Sequence, residues 1–351
     1  MVLVTGATGL LGRIIVLELL KAGRKVKACK RPGSDLSEVR ESYRLYTGEA
    51  DAYFDKIEWV DVDFNNRTSL YSLLDDVREV YHCAAKVSFD PRDRDEVLDT
   101  GIITTRNILE ASRYKNVRKF LYVSSAAVLH IRKKAMETQI ENFGFTDRGY
   151  PPYVISKYIG EKMVWKAYRE GLNTVIINPG MIIGSRARKP ESSSQLPELF
   201  VKSRFTFSGG TSCIDVRDVA TTAVSLMEKN IFGERFPVAS EYVLYKDLAA
   251  MVREVMGLGR PIVFPEGFMK MMKPARRILS LFNGHARFLT DENIGFVSDH
   301  QYVSCRKLRK KLSCTFYSAA ESIRFHYGNY LAYGSGKQAD TGSFSKTEHS
   351  N

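Results

Sequence analysis

Apolar residues dominate positions 1–5, with no polar face, so the segment reads as a strand buried on both sides. Residues 14–22 then carry apolar side chains at helical spacing, and Gly23 supplies the stop. The same alternation runs on. Strands are predicted at 25–30, 57–61, 79–84 and 119–124. Helices are predicted at 68–77 and at 104–114, the latter with Ile108, Leu109 and Ala111 on its core side. Positions 130–150 are polar and read as a loop. Pro151 and Pro152 introduce a helix over 153–169, where Ile155, Ile159, Met163 and Val164 keep the helical period. A strand over 173–178 ends at Pro179 and Gly180. Apolar strands alternating with helices predict a doubly wound α/β fold, a parallel sheet covered on both faces.

Beyond residue 180 the alternation lapses. Positions 186–194 form a basic, serine-rich loop. Positions 212–227 return to a strand, a turn at Asp215–Asp218 and a helix. The rest, to Tyr333, mixes short strands and helices and is rich in Phe and Met (Phe264, Phe268, Met269, Met271, Met272, Phe282, Phe288). Stripes of this kind are ordinarily core. The expected organisation is a dinucleotide-binding domain at 1–180 with a return near 211–230. A smaller mixed α/β substrate-binding part follows at 181–333, then a polar, disordered tail at 334–351.

Composition narrows the class. At 351 residues and 44% hydrophobic content the chain can bury a large core, and no apolar run reaches the length of a membrane span. Nothing in it reads as a secretory leader, and the five cysteines are scattered without a C-x-x-C pair. Both point to reduced thiols and a cytoplasmic location, with no metal site. The net charge of +12 collects at 24–31, 132–134 and 306–311, but the clusters lack aromatic interleaving. They suit solvated surface and an anionic small molecule better than nucleic acid. Arg276 and Arg277, with apolar neighbours, read as a face able to touch a membrane surface peripherally.

Chemistry enters at the first turn. Gly6, Gly9 and Gly12 are spaced G-x-x-G-x-x-G between a strand and a helix. Gly6 permits the turn, Gly9 lets a pyrophosphate reach the backbone, and Gly12 lets helix and sheet approach. A turn that binds nothing could share this spacing, but its place between buried strand and amphipathic helix favours a dinucleotide. At the end of the second strand stand Lys30 and Arg31, where an acidic residue would favour NAD. Arg31 therefore predicts NADP, its guanidinium on the 2′-phosphate, with NAD as the alternative. Tyr153 and Lys157 lie at i, i+4 on one helix face, and Ser125 ends the fifth strand. A lysine and a positive nicotinamide ring beside a tyrosine lower its pKa, so that Tyr153 exchanges a proton with a carbonyl or alcohol oxygen that Ser125 holds. Tyr158 and Lys162 repeat the spacing deeper in the helix, at positions suited to packing.

The segments TGATGLLG (5–12), HCAA (82–85), YVSSAAV (122–128), YVISK with Glu161, NPGMIIG (178–184) and DVRDV (215–219) resemble the extended short-chain dehydrogenase/reductases, the NAD-dependent epimerase/dehydratase superfamily with its Rossmann fold. Arg31 and SSAAV resemble the dihydroflavonol reductase and 3β-hydroxysteroid dehydrogenase branch. The resemblance implies pyrophosphate contacts from Gly6, Thr8, Gly9, Leu10, Leu11 and Gly12. It implies adenine contacts from Asp61 and Val62, and ribose and phosphate contacts from Ala84, Ala85 and Lys86. Pro179, Gly180 and Ile182 would cradle the nicotinamide, Ser125, Tyr153 and Lys157 would be catalytic, and Tyr153 and Lys157 would also touch the coenzyme. It also implies a homodimer through the Tyr153 helix. Two positions depart from the pattern: Gly101 stands where an asparagine completes the family's proton relay, and Asn178 where many sugar-nucleotide members carry arginine. The expected activity is NADP-dependent hydride transfer to or from a carbonyl or secondary alcohol of a hydrophobic small molecule. The alternatives are a nucleotide-sugar epimerase or dehydratase with tightly held NAD, with Arg186, Arg188 and Lys189 on a pyrophosphate, and a non-catalytic NADP-binding regulator.

Overall fold

The computed structural model describes residues 1–130, 150–186, 190–193, 196–272 and 290–334. The expected loop at 131–149, the basic residues Arg188, Lys189, Arg276 and Arg277, and the tail from 335 onward lie outside them.

Seven parallel strands form the main sheet. They are β1 (Val2–Thr5), β2 (Val26–Lys30), β3 (Glu58–Asp61), β4 (Glu79–His82), β5 (Lys119–Val123), β6 (Thr174–Pro179) and β11 (Glu234–Val238). Their order across the sheet is β11-β6-β5-β4-β1-β2-β3. Strands β1 and β5 are buried along their whole length, as the absence of a polar face requires. Helices cover both faces. On one side α1 (Leu10–Lys21) packs beside the helix Val216–Glu228, over a core that includes Ile14, Leu17, Val219 and Ala223. On the other, α5 (Arg94–Tyr114) packs on the helix Pro152–Arg169, with Ile108, Phe120 and Val164 beneath. Between them along the chain lie α2 (Leu36–Tyr43), α3 (Ala50–Phe54) and α4 (Arg67–Leu73).

The lapse of alternation after residue 180 is a change of sheet. A second, mixed sheet comprises β7 (Met181–Ser185), β8 (Pro190–Ser192), β10 (Gly210–Asp215) and β12 (Glu241–Leu244). It runs β12-β10-β7-β8, and a short strand, β14 (His300–Gln301), lies beside β10. Part of the loop expected at 186–194 is thus strand β8, antiparallel to β7. A two-stranded pair, β9 (Phe205–Phe207) with β13 (Ile262–Phe264), lies apart from it. The second core gathers Phe200, Tyr245, Leu248, Ile294 and Ile323 from the helices around this sheet. The doubly wound parallel sheet with a smaller mixed C-terminal region is therefore as expected. Among the described residues no helix is long and apolar enough to cross a membrane.

Candidate active site

The chain turns from β1 into α1 with Gly6 at φ +65°, a conformation that L side chains rarely adopt. A Cβ on Gly12 would stand 2.2 Å from the Gly6 carbonyl oxygen, and one on Gly6 2.8 Å from the Ala84 nitrogen. Only glycines allow turn, helix and β4 loop to close on one another in this way. Helix α1 starts after Gly9 without a side-chain cap, which leaves its first N–H groups to face the cavity as anion donors. Beneath the turn, Arg13 is fully buried and donates to the carbonyls of Thr8 (2.6 Å) and Gly9 (3.0 Å), so the turn is fixed from behind by a charge. These residues fit a dinucleotide pyrophosphate.

A cavity of about 550 Å³ runs from this turn across the carboxyl ends of β1, β4, β5 and β6. Gly6, Thr8, Gly9, Leu10, Leu11 and Gly12 line it, as do Arg31, Ala85 and Lys86. So do Ser125, Tyr153, Lys157, Pro179, Gly180 and Ile182. Three residues implied as coenzyme contacts are not among its lining. Asp61 is paired with Lys30 at 2.5 Å, Val62 is buried in the core, and Ala84 donates its N–H to the Thr5 hydroxyl.

Ser125 hydrogen-bonds the Tyr153 phenol. The expected lowering of the phenol's pKa does not occur in the protein itself: burial pushes Tyr153 up to about 12, and only the Ser125 bond works against it. Lys157 is buried and pushed down to about 8, and its ammonium donates to the Val123 carbonyl at 2.7 Å. Tyr158 and Lys162 stack on one another outside the cavity lining.

Two sets of contacts at the site have no counterpart in the sequence reading. Asn178 donates to the Ser125 carbonyl (2.9 Å) and to Glu161 (2.5 Å), and Glu161 in turn meets Arg235 (3.0 Å). The departure noted at Asn178 thus holds Ser125 in place. Arg186, from the end of β7, donates to Glu191 on β8 (2.7 Å) and reaches Glu38 on α2 (3.3 Å). All three line the cavity, so this bridge spans the groove beside the glycine turn. The sequence points to Arg186 only as a pyrophosphate ligand beside Arg188 and Lys189, and its pairing with Glu38 and Glu191 leaves no sequence signal. A buried network also ties the turn to β4. Thr5 accepts from the Cys83 and Ala84 N–H groups, which leaves its own O–H for His82 Nδ1 at 2.7 Å. Burial keeps His82 neutral, down to about 3.

A glycine turn feeding a helix and a Ser–Tyr–Lys set in one cavity define a nicotinamide-coenzyme oxidoreductase fold. The chain belongs to the NAD dependent epimerase/dehydratase family, which matches residues 2–239, and so to the extended short-chain dehydrogenase/reductase superfamily. It is an NAD(P)-dependent oxidoreductase of that superfamily acting on a small molecule. It is 30% identical to sterol demethylase protein B of Methylococcus capsulatus, over 74% of this chain and 75% of that one. It is 25% identical to a putative dihydroflavonol 4-reductase of Synechocystis, over 74% and 73%. Among solved structures, gox2253 superposes with a TM-score of 0.75 at 22% identity, covering 95% and 98% of the two chains. WbmH of Bordetella bronchiseptica, in complex with NAD+, gives 0.68 at 18% over 95% and 98%. UDP-glucose 4-epimerase of Thermus thermophilus, in complex with NAD, gives 0.68 at 19% over 94% and 98%.

The expectation of NADP is corrected. Four solved structures of like fold, WbmH among them, are complexes with NAD. The physical reason lies around Arg31. Asp35 and Glu38 line the cavity with it, and Lys30 is already paired with Asp61, so a 2′-phosphate dianion would meet carboxylates as well as a guanidinium.

Proposed function

We propose that this enzyme moves a hydride between NAD and a carbon bearing a hydroxyl or carbonyl, and retains the coenzyme through the cycle, as an epimerase or dehydratase does. The observation that carries the reading is the Arg186 bridge from Glu191 on β8 to Glu38 on α2, across the groove that the glycine turn lines. A groove spanned by an ion pair of two segments far apart in sequence opens only when that pair parts, which favours a resident coenzyme over one exchanged at every turnover. NAD, when bound, would supply the hydride acceptor and a positive charge.

The chain's own residues do the rest. Ser125 would hydrogen-bond the reacting oxygen, and Tyr153 would take the proton of that oxygen and later return it. Burial sets the phenol too high to act on the Ser125 bond alone, so the positive charge of a bound NAD would be what brings it into range. Asn178 holds Ser125 in line. Segment 1–180 would bind the coenzyme and 181–333 the substrate. The substrate that accompanies this reading is a nucleotide sugar, as the name of the T. thermophilus epimerase gives for that protein.

A second reading is favoured by the aromatic residues Phe89, Phe296 and Tyr245, which line the cavity together with Tyr153. It is a reductase of the dihydroflavonol 4-reductase branch using exchangeable NADH on an apolar ketone, in keeping with the names of several relatives. One experiment separates the two. The purified protein is denatured in acid and the released nucleotides are separated and quantified. Stoichiometric NAD that survives dialysis is the expected result. A protein that arrives empty, yet oxidises added NADH with a ketone, establishes the reductase and sinks the retained-coenzyme reading.

A further inference from the structure

We infer that the strand pair β9–β13 and the helix Glu266–Met272 form a surface that docks on an anionic lipid bilayer. The sequence expectation of a peripheral membrane contact fell on Arg276 and Arg277, outside the described residues; the described chain carries such a surface in its own right. Strands β9 and β13 run parallel, with Ile262 beside Phe205 and Phe264 beside Phe207. The face they share is graded. Phe207 is buried in the second core, whereas Phe205 and Ile262 are each 42% exposed. The Phe264 ring stacks on that of Phe205 at 4.1 Å, and Phe268 follows at 4.9 Å from Phe264. Phe268 is 39% exposed, and Met271, three positions on along the same helix face, is 67% exposed. Single exposed apolar side chains are ordinary on a protein surface. Four gathered around one ring stack mark a contact surface.

The charges around these residues choose the partner. Arg204 directly precedes β9 and Arg260 stands two residues before β13. The strands are parallel, so both arginines fall at the same end, beside Phe205 and Ile262. The Arg204 Nε donates to the Arg260 carbonyl at 2.9 Å, and the Ile262 N–H donates to the Arg204 carbonyl at 2.8 Å. Lys202, at the end of the helix Leu196–Lys202, is exposed as well. The acidic side chain of the helix Glu266–Met272, that of Glu266, is paired with Lys270 at 2.6 Å. The rim is thus cationic. A bilayer offers the matching order: phosphates in the headgroup layer for the basic groups, and beneath them an apolar boundary for the Phe and Met tips. A second copy of the chain fits less well, because in a two-fold interface the same rim meets itself, cation against cation. The helix Glu266–Met272 also packs against the helix Asp291–Ser298, whose Phe296 lines the cavity. The docked surface is therefore separated from the cavity by one helix.

The test uses the full chain and vesicles of phosphatidylcholine, with and without phosphatidylglycerol, in a flotation assay. The net charge of +12 alone would draw the chain to anionic lipid, so the deciding variant leaves charge untouched: Phe268→Ser with Met271→Ser. A second variant, Lys202→Gln with Arg260→Gln, removes two cations of the rim. All four positions are exposed, and NAD affinity by fluorescence titration, together with the melting temperature, verifies the fold of each variant. Binding to the anionic vesicles well above that to phosphatidylcholine alone, weakened by about tenfold in either variant, is the expected result. In Phe268→Trp, acyl chains labelled with bromine should quench the added fluorescence. Equal binding to the two lipids, binding unchanged by the Phe268 and Met271 substitutions, or no flotation overturns the proposal. So does a dimer in solution that the same substitutions convert to monomer, which makes the patch an interface between copies. Flotation that appears only once residues 273–289 are excised overturns it too, and makes that segment the cover of the patch.

Discussion

Asn178 shows how a residue outside the proposed reacting set can fix it in place. Its amide joins the Ser125 carbonyl to Glu161, whose other oxygen meets Arg235, so the chain at Ser125 is tied through β6 to the far edge strand β11. Replacing it by Leu removes both bonds and leaves the Glu161 carboxylate with one partner fewer in a buried place. Asn178→Leu is expected to lower kcat by about ten- to a hundredfold, on the order of 1.4–2.7 kcal/mol in the barrier, with NAD affinity intact. Steady-state rates beside a coenzyme titration check this, and a Kd that rises while kcat stays constant would place Asn178 at the coenzyme instead. Tyr153 and Lys157 were legible in the sequence because an i, i+4 pair needs only one helix to meet. The contacts of Asn178 were not, because its partners come from other elements and a one-dimensional pattern carries no trace of them.

The seam between α5 and the Tyr153 helix explains the second departure from the family pattern. A Cβ on Gly101 would lie 1.9 Å from the Ser156 hydroxyl. The place of the relay asparagine is thus filled from the opposite helix by the residue before Lys157. Gly101→Asn alone is expected to force the helices apart and cost about 1–3 kcal/mol, read as a lower Tm, and the added substitution Ser156→Gly should recover most of it. Equal melting of the single and double variants would show that the seam yields elsewhere. The start of α5 was misjudged for a related reason. It begins at Arg94 rather than near 104, because its first two turns are largely polar and carry Gly101, so apolar periodicity marks only its second half. Of the second sheet only a strand near 212 and a mixed character were legible, not its strand order, because strands of two to six residues in mixed directions leave no sustained period.

Across the whole molecule, the C-terminal helix Ala319–Gly334 is fastened to the second sheet by a charge that solvent cannot reach. His326 accepts from the Ser185 hydroxyl at 2.8 Å through Nδ1 and faces Asp215 at 3.3 Å through Nε2, all three buried. Arg217 pairs with the same aspartate and lies over the rings of Tyr317 and Phe325. Burial holds the pKa of His326 below its ordinary value, more than Asp215 restores it, and that of His82 at about 3. The unfolded chain therefore binds protons at these histidines that the folded chain refuses. Each such group withdraws stability as pH falls below about 6.5, His82 by up to about 1.4 kcal/mol per pH unit. Denaturant unfolding followed from pH 7 to pH 5 should show this loss, and His326→Gln should make it shallower. An unchanged slope would assign the loss to other groups. The doubly wound sheet itself was plain from the alternation of apolar runs.

Strand β11 completes the main sheet only after the chain has left β6, laid down β7, β8 and β10, and returned. On the ribosome, the edge of β6, with Val175, Ile176 and Ile177 along it, is synthesised long before its neighbour emerges. A nascent chain halted in that interval presents an apolar strand with one side of its ladder open, the geometry that pairs most readily with another chain. The same threading means that the coenzyme lobe cannot be produced by cutting the chain after β6: it would lack its last strand, and with it Arg235, the outer anchor of the line that ends at Ser125.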